Sequence, residues 1–191
     1  MLYDIKLLMH YDYALPVGGG RHHLRVLPLN LDGAQRVVAS SLSVSPSPAE
    51  RSDFTDFFGN AVTAVAFRDA HDSFETRMTA RVSVSRPEPD FDVSPPLTVL
   101  GGELARTWSL DRASPHHFTA SSDHASLATD ITAYARESLA PARSVAALAM
   151  DLCLRIHRDF DYDGDATTVA TTAGEAFSLK RGVCQDFSHV M

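Results

Sequence analysis

The sequence predicts an α+β chain in two parts: an N-terminal antiparallel β-sandwich-type domain over residues 1–86 and a helical segment over 122–191, with a Pro-rich, irregular linker at 87–121 between them. Three observations carry this. Apolar and polar side chains alternate along 2–13 and again along 74–84, the period of a strand with one wet face. Pro87, Pro89, Pro95 and Pro96 then fall close together. Proline lacks an N–H and fixes φ, so it continues neither a ladder nor a helix. Beyond them the period becomes helical, with Leu127, Ile131, Tyr134, Ala135 and Leu139 on one face.

Each element follows from local signals. Tyr3, Ile5, Leu7, Met9, Tyr11 and Tyr13 share a face of the first strand, which Pro16 and the three glycines from Gly18 are expected to end. A short strand is expected at 23–27, and a longer one at 35–44 after the Asp32-Gly33 turn. Further strands are expected at 54–57 and, after Gly59-Asn60, at 61–67. Five or six antiparallel strands at this spacing fit a sandwich. Trp108 is expected to anchor the 97–121 region by burying its indole. A first helix is expected from Ser122 or Asp123 until Pro141 stops it, and a second is capped by Ser144, with Leu148, Ala149, Leu152, Ile156 and Phe160 as its buried stripe. Thr172 and Glu175 have capping-box spacing for a third, which closes at Gly182, and a fourth begins at Cys184.

Of 191 residues, 45% are hydrophobic and 21% charged, enough to bury a core. The net charge of −7 argues against nucleic acid or an anionic membrane as a partner, since both want a basic surface. No apolar run approaches a membrane span, and the N-terminus alternates like a strand where a signal peptide would be uniformly apolar. Two distant cysteines make no disulfide framework, which makes the reducing cytoplasm the simplest compartment.

Neither cofactor nor metal is expected. Asp159, Asp161, Asp163 and Asp165 are calcium-like in spacing, but Ala170 stands where a bidentate Glu is needed. His22-His23 and His116-His117 are adjacent pairs, whose side chains diverge along a strand. There is no phosphate-binding glycine loop.

One stretch carries chemistry. Gly182 can open a tight turn, and Cys184 then falls in the first turn of a helix, where unpaired N–H groups and the dipole favour a thiolate, the nucleophilic form. The plainer reading is that an isolated Cys is a small buried hydrophobe, a description that Cys153 fits.

The run Gly182-Val183-Cys184-Gln185-Asp186-Phe187-Ser188-His189-Val190-Met191 resembles the G-V-C-Q-D-F-A-H-L-M signature of bacterial transglutaminase-like proteins, often described as candidate cysteine proteases with a papain-like core. His157, Phe160 and Tyr162 resemble the H-x-x-F-x-Y ahead of it, and Thr168, Thr171, Thr172 and Glu175 its Thr-rich approach. Upstream, Tyr11 to Val17 resembles Y-x-Y-x-x-P-V. Leu24-Arg25-Val26-Leu27-Pro28, Gln35-Arg36-Val37 and Asp56-Phe57-Phe58-Gly59-Asn60 match further blocks of the domain found before that core.

The resemblance implies a thiol enzyme acting on amide bonds of a peptide or protein substrate, by hydrolysis or acyl transfer, with Cys184 as nucleophile. It also implies that 122–191 is the helical first part of a papain-like transglutaminase core. The family's His and Asp follow its Cys, so they are expected beyond Met191, in a longer protein of which this chain is the N-terminal part. His189, five residues on, lies about 140° around the helix from Cys184, out of reach as its base. The chain alone is therefore expected to be inactive, and to self-associate through apolar helix stripes that it cannot bury by itself. The alternative function is a non-catalytic β-domain that docks a protein partner.

Overall fold

A computed structural model describes residues 1–85, 91–122, 124–140 and 143–191. Pro87, Pro89, Asp123 and Pro141, invoked above as boundary and helix-end residues, lie outside the described residues. The chain divides into two compact units, Met1–Glu88 and Pro89–Met191.

The first unit is antiparallel throughout its two three-stranded sheets. Strands β1 (Leu2–Val17), β6 (His71–Val84) and β3 (Gln35–Ser45) form one, in the order β1-β6-β3. Strands β2 (Arg21–Leu24), β5 (Ala61–Ala66) and β4 (Glu50–Thr55) form the other, in the order β2-β5-β4. The central strand β6 keeps the expected alternation: Phe74, Thr76, Met78, Ala80 and Val82 are buried, while Arg77, Thr79 and Arg81 are exposed. Leu24, Val65, Phe67 and Phe74 form an apolar cluster drawing on both sheets.

Several boundaries differ from the sequence reading. Pro16 does not end β1, because that strand lies at a sheet edge where a missing N–H need cost no ladder bond. The strand expected at 54–57 runs instead over Glu50–Thr55. It ends where Asp56 turns inward to accept the Asn60 N–H at 2.9 Å. The strand expected at 23–27 is Arg21–Leu24, pairing Arg21 with Ala66.

The second unit is helical: α1 (Leu97–Arg106), α2 (Thr129–Arg136), α3 (Val145–Asp159), α4 (Ala173–Leu179) and α5 (Cys184–Val190), with a 3-10 turn at Pro115–Phe118. The segment 87–121, read as linker and irregular chain, thus contains a helix. Gly101-Gly102 obscured it by lowering helix propensity, while Leu97, Leu100 and Leu104 still share a half-buried face. Residues just before α1 also cap α3. The Pro95 carbonyl accepts the Val145 N–H at 2.9 Å, Ser94 Oγ accepts that of Ala146 at 2.9 Å, and Asp92 accepts the Ser144 hydroxyl. Ser144 itself caps α3 by accepting the Ala147 N–H.

Trp108 is 89% exposed, against the expected anchoring role, since it follows α1 into a loop. Helix α2 starts at Thr129, so Leu127 lies before it and is 89% exposed. Ala149, placed on the buried stripe of α3, is exposed, while Leu148, Ile156 and Phe160 are buried. Ile156, Phe160, Phe177 and Val190 make the core, with Ile131, Tyr134, Leu152 and Phe187 packed against it. Of the apolar helix stripes, Leu148, Ile156 and Val190 are thus buried, Ile131, Leu152 and Phe187 half-buried, and Leu127 and Leu139 exposed.

Candidate active site

The path to Cys184 is built from short-range constraints. Helix α4 opens with a complete capping box, in which Thr172 accepts the Glu175 N–H and Glu175 accepts that of Thr172. It closes at Leu179 rather than Gly182, with Lys180 in the left-handed region at φ 54°. The Lys180 ammonium lies 3.3 Å from the Phe177 ring centre and 4.4 Å from that of Phe160, where cation–π attraction holds it. Burial pushes its pKa down. The chain then runs into β8 (Arg181–Gly182), which pairs in parallel with β7 (Asp161–Tyr162), the short strand directly after α3, the Asp161 N–H donating to the Lys180 carbonyl and the Asp163 N–H to that of Gly182, each at 2.9 Å. This pairing delivers extended Val183 as the N-cap of α5, with Cys184 as its first residue.

Asp186, in the same first turn, is 1% exposed. Its Oδ2 accepts the Val183 N–H at 2.8 Å and the Thr167 hydroxyl at 2.6 Å. Gly182 is required by space: a Cβ there would stand 2.9 Å from both Cβ and Cγ of Asp186.

Cys184 is exposed and lines a cavity of 590 Å³ together with Cys153, His157, Ile156, Phe160 and Phe187. Two sequence readings change here. Cys153 is exposed on α3 and faces the same cavity, so it is not the buried hydrophobe expected of it. His157, assigned no role in sequence, is the imidazole brought to the Cys184 cavity. His189 is not: its ring stacks on His124 at 5.3 Å between centres, and its Nδ1 is buried without a partner among the described residues. Asp186 was missed as a site residue. Its position three residues after an N-cap was the available signal, but its partner Thr167 is remote in sequence.

The acidic loop is structural in its contacts. Asp163 accepts the Asp165 N–H at 3.0 Å, and Asp159 accepts the Tyr134 hydroxyl at 2.9 Å. Burial, then that hydrogen bond, pushes the Tyr134 pKa up to about 12. The Arg158 guanidinium holds the Asp159 carboxyl below its usual value. Among the described residues no three His, Cys, Asp or Glu side chains gather as a metal site, and no helix is long and apolar enough to cross a membrane.

Residues 3–83, which cover the two antiparallel sheets, match the bacterial transglutaminase-like N-terminal region. The N-terminal unit thus carries the N-terminal region of bacterial transglutaminase-like proteins. The chain is 31% identical over 156 residues to uncharacterized proteins of Mycobacterium tuberculosis and Mycobacterium bovis, covering 82% of itself and 49% of each relative. It spans about half the length of the relatives it matches. A crystal structure of a candidate cysteine protease from Cytophaga hutchinsonii superposes on the whole chain with a TM-score of 0.64 at 17% identity, covering 63% of that protein, which is a likeness of fold.

Proposed function

We propose that this chain is the N-terminal part of a transglutaminase-like thiol enzyme that hydrolyses or transfers the acyl group of peptide or isopeptide amides, with Cys184 as nucleophile. The observation that carries this reading is the position of Cys184: first residue of α5, exposed, at the wall of an apolar cavity that also holds His157. The Cys184 thiolate attacks the amide carbonyl carbon, the C–N bond breaks as the leaving nitrogen takes a proton, and a thioester remains. Water then releases the acid, or an amine takes the acyl group.

The reaction needs a base for the thiol proton and a group that orients the base. We place these as a His and an Asp outside residues 1–191, a reading supported by the resembled family, whose His and Asp follow its Cys, and by the chain's covering about half the length of its relatives. The N-terminal unit is a β-sandwich-type domain and the helical unit the first part of a papain-like core. The reducing cytoplasm suits two free thiols.

The test is turnover of a peptide amide by the full-length protein and by the 191-residue chain. The full-length protein is expected to turn over and to lose activity on Cys184→Ala. The 191-residue chain should show none, since an absent base costs roughly 10² to 10⁴ in rate. Undiminished full-length activity in Cys184→Ala removes the nucleophile assignment. Turnover by the short chain, abolished by Cys184→Ser, instead locates a base inside it, with His157 the first residue to replace.

A further inference from the structure

Asp186 is, among the described residues, the one fully buried ionisable side chain. Capping a helix does not require this. Helix α4 does the same work with Glu175, whose carboxylate accepts the Thr172 N–H from an exposed position. Asp186 also keeps Oδ1 buried without a partner among the described residues, an arrangement that costs stability for an acceptor of this kind. What the buried position adds is reach. Oδ2 ties Val183, on one side of Cys184, to Thr167 in the loop after β7. The carboxylate also fills the space that a side chain on residue 182 would take. The backbone from Gly182 to Asp186 therefore closes on the Asp186 side chain, with Cys184 in the middle of the closed segment.

We propose that Asp186 is a positioning residue for Cys184: its hydrogen bonds to Val183 and Thr167 fix the strand-to-helix turn so that the thiol is held at the cavity wall. This rests on the reading of Cys184 as the nucleophile.

Cys153 provides an internal standard, since it lines the same cavity from the middle of α3 and touches none of the Asp186 contacts. The 191-residue chain is treated with limiting iodoacetamide, and the Cys184 to Cys153 alkylation ratio is read by peptide mapping, alongside hydrogen exchange at the Val183 amide. In the unaltered chain Cys184 reacts first and the Val183 amide exchanges slowly. Asp186→Ala lowers the ratio roughly tenfold, the scale of lost hydrogen bonds to a charged group, and speeds exchange at Val183. Asp186→Asn, which keeps an acceptor oxygen, recovers part of the ratio. Thr167→Val lowers the ratio less and in the same direction, and decides the matter if Asp186→Ala fails to fold. A faster Val183 amide with an unchanged or raised ratio makes Asp186 a helix cap only, overturning the positioning role while leaving the nucleophile assignment intact. Cys153 reacting first in the unaltered chain removes both.

Discussion

Arg25 Nε stands 2.9 Å from Asp56 Oδ2, joining two sequence blocks that lie 31 residues apart. Asp56 also accepts the Asn60 N–H at 2.9 Å and the Asn60 side-chain amide at 3.1 Å, closing the turn into β5. The Arg25 hydrogen bond, with help from Asn60, holds the Asp56 carboxyl down to about 2. A carboxyl depressed on folding contributes stability that is present above its ordinary value, near 3.8, and lost as pH falls through about 2. Carboxyl-detected NMR should place the Asp56 midpoint near 2, and Arg25→Ala should move it up and raise the pH of acid unfolding. A midpoint near 3.8 in the unaltered protein would refute the pairing.

Gly182→Ala and Gly174→Ala should change stability in opposite directions. At Gly182 the new methyl presses on the Asp186 side chain, a small-to-large strain of about 1–3 kcal/mol. At Gly174, inside α4, a Cβ meets nothing within 4 Å, and alanine should stabilise by about 0.5–1 kcal/mol. Urea unfolding of the two variants measures both. Equal, small effects would show that residue 182 has room the geometry denies it.

Self-association should be visible in the fluorescence of Trp108, the single tryptophan. The expected helix stripes are buried only in part: Leu148, Ile156 and Phe160 are buried, but Leu127 and Leu139 are exposed, as are Trp108 and Leu110 of the same unit. Apolar surface of this kind tends to find a partner. We expect Trp108 to emit as a water-exposed indole and to quench with iodide at low concentration. On concentration its emission should shift blue, in step with a rising mass by light scattering, and Leu127→Ser should weaken that rise. A constant monomer mass across the dilution series rules self-association out.

The sequence by itself determined what is decided within a few residues. The alternation of β6, the Ser144 cap, the Thr172–Glu175 box and the start of α5 at Cys184 each depend on side chains and backbone groups no more than about four positions apart. The signature block around Cys184 was legible for the same reason, being contiguous. Only the tertiary structure decided which side chains share a space. It brought Cys153 and His157 of α3 to the cavity of Cys184, turned His189 away to His124, and closed Asp186 on Thr167 across 19 residues. It left Trp108 in solvent, although burial would have gained apolar area, because burial depends on what packs there and not on the residue. Periodicity and capping are properties of one segment, whereas a cavity, a buried carboxylate and a cation among aromatic rings exist only where several segments meet.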